Sequence, residues 1–537
     1  MKAANHPFRV PHQRKALTVP PGGRTLGTEI VAGKGSGKTT FLTCLALEDY
    51  LKGRPQVILD PLGTVSDSLL FRISRFLTYV PPALHPRYWE RLRYVDLGAT
   101  DFVVPFPIYR RRPSDRSLRE VAEHFLTVIR LSNPALANAP IMGMPAMRRI
   151  GVYAGMVLAS LGFQLTEAHS LLFDTAEWDR KGLFAEALTR CPEVAPAINF
   201  FTQGYLSLRE FEKGRLITSF LDHIFPFTVD PVLCALFSAS TPGLSFAEVE
   251  KKGVGETVIL DFRNLLDPET RRFALLWVFS ELYDFIKRRG RNPQPFGLII
   301  DEFAALAQQV TDGVNPLATL LDEFINQYMR NHNIWLTVAH QSLLQIDEQL
   351  RTTLLSLGNY VIGRVSTMVE ARILADALFT TDVFRIKHMR NVWGSSQQLR
   401  TRQTLHYVID QEPEFMKLDE QQELYAQAIK QLRLFDFLLR PAEGEGQVSS
   451  SVIPITIANF VRDRQTGEYI FPQPEVVAPL RVLLAAKSGI PIRTIQQEIE
   501  ARLRRFGLGF LPEPRSPSSV PAPDGKHLPI NRRELLS

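Results

Sequence analysis

Residues 29–42 read EIVAGKGSGKTTFL, and this stretch decides the fold. The pattern G-x-x-x-x-G-K-[ST] marks a loop whose backbone N–H groups wrap around phosphate oxygens. Here Ala32 stands where the pattern opens with glycine, followed by Gly33, Lys34, Gly35, Ser36, Gly37, Lys38 and Thr39. Gly33, Gly35 and Gly37 can take the positive φ angles that such a nest needs. Lys38 is the residue that reaches the β/γ-phosphates, and the Thr39 hydroxyl is the ligand for magnesium, with Thr40 beside it. The flanks agree with this reading. Thr28 to Val31 is a short β-prone run that enters the loop. Residues 40–51 (TFLTCLALEDYL) have helical apolar spacing and leave it, so a helix N-terminus faces the phosphates.

A strand, a phosphate loop and a helix imply an α/β core, and the rest of the chain supplies its strands. Short apolar runs occur at 28–31 (TEIV), 56–60 (QVILD), 93–97 (RYVDL), 257–262 (TVILDF), 296–301 (FGLIID), 333–339 (NIWLTVA) and 359–365 (NYVIGRV). They are almost continuously apolar and rich in Val and Ile, as strands covered on both faces of a parallel sheet are. Helical patterns lie between many of them, which predicts a doubly wound α/β arrangement. The runs fall into two blocks. The gap between them carries helical patterns at 118–131, 147–161 and 184–191 and no strand series. The expected organisation is therefore a first core half at 1–105, an all-helical insertion at 106–250 and a second core half at 251–420. A C-terminal helical extension at 421–510 and a Pro/Ser-rich tail at 511–537 complete it. Within the extension, 422–439 reads as a helix, 441–451 as a loop, and Thr494 with Gln497 as a capping box. The helix they would open has Ile495, Ile499, Leu503 and Phe506 on its apolar face.

Hydrolysis at a phosphate loop needs a metal carboxylate and a base, and FGLIIDEFAAL (296–306) offers both. Asp301 ends an apolar strand, where a carboxylate can hold Mg²⁺ beside the loop threonine. Glu302 follows and could polarise the attacking water. The run 333–343 ends in His340, Gln341 and Ser342. In a parallel sheet, strand ends gather at the ligand edge, which makes Gln341 a sensor of the γ-phosphate and His340 a structural residue. Arg330 and Arg364 flank that strand, and either could stabilise developing charge, across a subunit boundary as arginines often do in phosphoryl transfer. The basic run Tyr109-Arg110-Arg111-Arg112 reads as a solvated loop.

Composition narrows the class. At 537 residues the chain is too long for one compact core. Its 45% hydrophobic and 22% charged content is that of a globular protein. The net charge of +6 mildly favours an acidic partner such as nucleic acid. Cys44, Cys191 and Cys234 are scattered, which argues against a disulfide framework or a zinc site. The N-terminus lacks the apolar core of a signal peptide. The stretch 273–286 (FALLWVFSELYDFI) is interrupted by Glu281 and Asp284 and is too short to span a membrane. It reads as a buried helix, and the chain as a soluble cytoplasmic one, or one attached to a membrane only through partners.

Taken in order, AGKGSGKTT, VILDPLGTVSDSLL (57–70), LIIDEF, VAHQSL and NYVIGRVSTMVEARILADAL (359–378) resemble the FtsK–HerA branch of P-loop ATPases. More narrowly, they resemble conjugative coupling proteins of the VirD4/TraG/TraD type and their soluble relatives. In that family the strand after the P-loop helix typically ends in Asp-Pro-x-Gly-Asp. Here Asp60, Pro61, Leu62 and Gly63 match and Thr64 replaces the last Asp. The resemblance covers about residues 25 to 380. It implies a RecA-like P-loop core with a helical insertion, ATP and Mg²⁺ as cofactors, and a hexameric ring around DNA with ATP sites at subunit borders. It also implies Lys38 and Thr39 on phosphate and magnesium, Asp301 on magnesium, Glu302 as base, Gln341 as sensor, and Arg330 or Arg364 acting in trans. The leading expectation is an ATP-dependent DNA translocase of conjugative transfer, with relaxosome or secretion-channel partners. Two other readings stay open: a HerA-like motor working with a nuclease partner, and a nucleotide-binding docking platform with little turnover.

Overall fold

The computed structural model describes residues 21–61, 69–70, 72–73, 85–112, 115–133, 145–250, 254–306, 316–397, 404–443, 447–448, 452–457 and 474–507. Its strands are β1 (Thr28–Val31), β2 (Gln56–Asp60), β3 (Leu92–Asp96), β4 (Phe102–Val103), β5 (Thr257–Asp261), β6 (Phe296–Ile300), β7 (Ile334–His340) and β8 (Asn359–Ile362). They continue with β9 (Ile386–Gln397), β10 (Thr404–Phe415), β11 (Asp436–Arg440), β12 (Ala442–Glu443), β13 (Gln447–Val448), β14 (Ile453–Thr456) and β15 (Ile490–Pro491). Nine of these make a mixed, mostly parallel sheet in the order β14-β11-β8-β1-β7-β6-β2-β5-β3. The α/β class read from the apolar runs is the class observed. Each of those runs is a strand of this sheet, and β1, β2, β5, β6, β7 and β8 are buried along their whole length.

The chain forms two compact units. The first takes in Met1–Lys38, His340–Leu344 and Leu357–Ala458. In it β1 pairs in parallel with β8, Thr28 opposite Asn359 and Val31 opposite Ile362. β8 and β14 then flank β11 in antiparallel fashion. The helix expected over 422–439 divides in two: helix Leu418–Lys430 ends, the chain turns, and Asp436–Arg440 joins the sheet as β11. The turn contains Phe435 at φ 67°, a left-handed conformation that breaks helical propagation. The expected loop at 441–451 includes the short pair β12–β13. A long hairpin, β9–β10, also stands in this unit where no strand was expected. Its Trp393, Tyr407 and Ile409 side chains are exposed, and Arg390 pairs with Glu412 at 3.3 Å across the two strands.

The second unit takes in Thr39–Ala339, Gln345–Ser356 and Asn459–Ser537. β7, β6, β2, β5 and β3 run parallel in register, with Ile58 beside Ile299 on one side and Ile259 on the other. Helix α1 (Lys38–Lys52) follows the phosphate loop. Between Val103 and Thr257 the described residues hold no strand. Helices α2 (Leu118–Ser132), α3 (Pro145–Leu161), α4 (Glu210–Val229) and α5 (Pro231–Ser238) occupy that stretch. α2 starts where Ser117 caps it, its side chain accepting the Glu120 N–H. Its buried stripe of Val121, Ala122, Phe125, Val128 and Ile129 follows helical spacing. α3 approaches closely at Gly155, where a Cβ would lie 2.7 Å from that of Ala122.

The stretch 273–286 lies in α6 (Pro268–Arg289), whose residues are buried almost all round, with Phe273 and Trp277 stacked at 6.0 Å. Among the described residues no single helix is long and apolar enough to cross a membrane. The basic run at 109–112 is not a solvated loop throughout. Tyr109 is buried, and Arg112 is buried between Asp115 and Glu281, at 3.3 and 3.6 Å. A guanidinium with two carboxylates can afford burial that a lone one cannot.

The C-terminal helices α7 (Pro474–Ser488) and α8 (Ile492–Arg505) belong to the second unit as well. Between them β15 pairs with β4, Ile490 opposite Val103. This pairing starts α8 at Ile492, two residues before the expected cap at Thr494, so Thr494 and Gln497 lie inside the helix and form no capping box. Its apolar face is as read: Ile495, Ile499 and Leu503 are buried, and the Phe506 ring meets Phe163 edge-on at 4.7 Å. Lys487 donates to the carbonyls of Trp89 and Glu90 at 2.7 and 2.9 Å. Arg502 meets the fully buried Glu167 at 2.7 Å and the Ser238 carbonyl at 2.8 Å. Residues 62–68 and 508–537, and with them the Thr64 departure and the tail, lie outside the described residues.

Candidate functional site

In the first unit the phosphate loop is built from the backbone outward. β1 ends at Val31, and the Ala32 N–H donates to the His340 carbonyl at 3.3 Å. Ala32 is fully buried and does not have a positive φ, so no glycine is required there. Gly35 and Gly37 do adopt positive φ, at 77° and 102°. Gly33 does not. Its missing side chain serves closeness instead. A Cβ there would sit 3.0 Å from the Arg364 carbonyl, which accepts the Gly33 N–H at 2.8 Å. The loop closes on itself through Ser36, whose hydroxyl and N–H both donate to the Gly33 carbonyl, at 2.6 and 3.1 Å. Lys34 and Gly35 are exposed, while Ser36 and Lys38 are buried.

Three further candidate residues lie in this unit. His340 is fully buried with Nε2 3.0 Å from Glu29 Oε1, which fits the structural role read for it. Gln341 is half-buried in the turn after it, and Leu343 N–H donates to the buried Glu370 carboxylate at 2.7 Å. Arg364 follows β8, and its side chain is exposed.

In the second unit α1 carries Thr39 and Thr40 in its first turn, and the Thr43 hydroxyl donates to the Thr39 carbonyl at 2.6 Å. Arg72, buried, donates to the Thr40 hydroxyl at 2.7 Å. Nothing in the spacing around Arg72 marks it, because a tertiary contact brings it there.

The tips of the parallel strands carry carboxylates. Asp301 follows β6, Asp60 ends β2, Asp261 ends β5 and Asp96 ends β3. Asp301 and Glu302 are both buried. The Asp301 N–H donates to the Leu59 carbonyl at 3.0 Å, and its carboxylate accepts the Glu302 N–H at 2.9 Å. Glu302 has φ 50° and ψ 56°, a left-handed conformation. For a residue with a Cβ this costs about 1–3 kcal/mol and persists where the surroundings enforce it, often at functional sites. Arg330 precedes β7, so it lies at the N-terminal edge of these parallel strands, opposite the carboxylate tips, and it is exposed.

The carboxylates differ in state. Burial lifts Asp60 well above the usual carboxylate range, and the charges of Asp261 and Asp301 add to the effect. Burial acts on Asp261 too. There the Arg263 guanidinium outweighs it, donating from Nε at 2.8 and 2.9 Å and holding the carboxyl below its ordinary value with help from Tyr94. Asp96 is raised by burial and by Asp261, against the pull of Arg481 at 2.8 Å. Asp261, Arg263 and Arg481 carried no signal in the sequence.

A Cβ at Gly35 would meet nothing within 4 Å, so the loop has an open edge there. Among the described residues no group of three or more His, Cys, Asp or Glu could hold a metal by itself.

No family model matches the sequence, and no curated protein matches it. Solved structures are similar to it. One is the bacterial conjugative coupling protein TrwBdeltaN70 in an unbound form, at 15% identity and a TM-score of 0.46, over 85% of this chain and 89% of that one. A second is the plasmid coupling protein TrwB in complex with ADP and Mg²⁺, at 14% identity and 0.47, over 87% and 92%. A third is VirB4 of Thermoanaerobacter pseudethanolicus, at 13% identity and 0.46, over 81% and 89%. Conjugative coupling proteins, which the ordered motifs resemble, are thus among the solved structures to which this chain is similar.

Proposed function

We propose that this chain is a magnesium-dependent ATPase that moves DNA, working as a hexameric ring in conjugative transfer. The observation that carries the reading is the loop itself: two left-handed glycines lead into a helix whose first residue is the buried Lys38. In this reading Gly33 to Gly37 and Thr40 form the cradle: the N–H groups of Lys34, Gly35 and Gly37 serve the phosphates, those of Gly33 and Ser36 hold the loop's shape, and Lys38 neutralises the phosphate charge. Thr39 and Asp301 hold magnesium, which when bound supplies charge neutralisation to the transferring phosphoryl group. Glu302 accepts a proton from the attacking water, and Gln341 orients that water. Arg364, exposed beside the loop strand, is the candidate for transition-state charge, in trans at a subunit border. Arg330, at the opposite strand edge, would have to act on a neighbouring subunit's nucleotide. The net charge of +6 suits contacts to a phosphate backbone, which need no base sequence.

The test is ATP turnover measured with and without DNA, alongside mass measurement in a non-hydrolysable nucleotide. DNA-stimulated turnover that disappears in Lys38→Ala and Glu302→Gln supports the motor, with six-fold assembly expected by mass. Tight nucleotide binding with no turnover would point instead to a docking platform.

A further inference from the structure

The phosphate loop is gripped from outside by a residue that the nucleotide-binding motif does not contain. The turn before β11 brings Phe435 to the loop. Its N–H donates to the Ser36 carbonyl at 3.0 Å, and its own carbonyl accepts the Ile457 N–H at 3.0 Å. Its ring lies against Gly37: a Cβ there would meet Phe435 Cδ1 at 2.5 Å and Cε1 at 3.0 Å. Phe435 itself is left-handed at φ 67°, one of three residues other than glycine with positive φ among those described. An aromatic residue holds such a backbone only where its surroundings enforce it. Here β11 and β14 hold the residue that follows, Asp436 standing opposite Thr456, whose hydroxyl donates to the Asp436 carboxylate at 2.6 Å.

These contacts interlock. Gly37 at φ 102° leaves the space that the ring fills, and the ring blocks the loop from relaxing into that space. The Phe435 N–H fixes the Ser36 carbonyl outward, so the peptide between Ser36 and Gly37 turns its N–H the other way. At the loop's other end the Arg364 carbonyl takes the Gly33 N–H. The loop therefore has a brace at each end, and both lie in the first unit.

We propose that Phe435 is a positioning residue for the phosphate loop: its ring and N–H hold residues 36 and 37 in the shape that receives phosphate. This rests on reading the loop as a phosphate cradle. Glycine at position 435 keeps the N–H and accepts the left-handed backbone without strain, so Phe435→Gly removes the ring and leaves the hydrogen bond to Ser36 in reach. Two readouts on the full chain test the idea. The first is amide hydrogen exchange over residues 33–38 without nucleotide. It is expected to quicken about tenfold in Phe435→Gly and to return to the unaltered rate in Phe435→Tyr. The second is the affinity for a fluorescent ATP analogue. It is expected to fall about tenfold in Phe435→Gly, with the same rescue by Tyr. Unchanged exchange over 33–38 in Phe435→Gly, at unchanged melting temperature, overturns the brace. Faster exchange with unchanged affinity overturns its role in phosphate binding. An unaltered chain that binds no nucleotide overturns the cradle reading instead, and the exchange comparison still decides whether the ring braces the loop.

Discussion

The Asp301 carboxylate accepts the backbone N–H of Glu302 at 2.9 Å, and Glu302 is thereby tied to its neighbour in a left-handed turn. The turn re-aims the Glu302 side chain relative to the direction the strand would have given it. Glycine prefers this backbone and alanine does not, by about 1–2 kcal/mol. Glu302→Gly should therefore melt above Glu302→Ala, since both lack the carboxylate and only the backbone differs. Scanning calorimetry of the two variants makes the comparison. An alanine variant at least as stable as the glycine one would mean the turn is unstrained.

Glu302→Gln keeps the shape of the side chain and removes the base. ATP turnover should fall by roughly 10²–10⁴-fold, the usual contribution of a positioned general base. Nucleotide affinity should stay within a few fold. Steady-state kinetics beside equilibrium binding separates the two effects.

Lys38→Ala should remove the thermal stabilisation that nucleotide confers. At a hundred times its dissociation constant a ligand adds about 2.7 kcal/mol, and the variant should show almost none of this while melting normally without nucleotide. A melting shift equal to that of the unaltered chain would take Lys38 out of the cradle.

Asp60 offers a pH-dependent test. Burial and its acidic neighbours raise its carboxyl well above the ordinary range. A raised carboxyl favours the folded state fully only below the unfolded value, about 3.9, and this advantage is lost as pH rises through the folded value. Asp60→Asn, which cannot ionise, should therefore stabilise the protein at pH 7.5, and the gain should shrink towards pH 4.5. Urea unfolding at the two pH values measures it. A gain that grows on acidification would reverse the sign.

Arg502 is the partner of a carboxylate with no exposure at all, Glu167. Removing one member of a buried pair leaves an uncompensated charge and costs roughly 3–5 kcal/mol. Arg502→Met should lose about that much, and Arg502→Met with Glu167→Met should recover most of it. Denaturant titration of the three proteins gives the coupling.

Most of the sheet could be read from the sequence because its strands are covered on both faces, so β1, β2, β5, β6, β7 and β8 appear as continuous apolar runs. The β9–β10 hairpin could not. Its strands hold Ser395, Ser396, Gln411 and Glu412 among exposed apolar residues, so neither face carries a continuous apolar pattern. β11 was hidden because Leu432, Phe437 and Leu438 continue the apolar spacing of the preceding helix, and the turn between uses Phe435 where glycine is usual. The loop, Asp301 and Glu302 were legible from local order along the chain. Arg72, Phe435 and Arg481 were not, since each reaches its place through contacts between distant segments.

The grip of α7 and α8 on the second unit also sets a constraint on biosynthesis. Lys487 bonds to carbonyls nearly four hundred positions earlier, and Arg502 neutralises a carboxylate 335 positions before it. While a ribosome is still reading the middle of the message, Asp96 and Glu167 have already emerged without their arginines. This unit therefore stays incompletely closed until α7 and α8 have been made. A message cut short before codon 474 would yield a chain exposed to chaperones and proteases rather than a smaller working version.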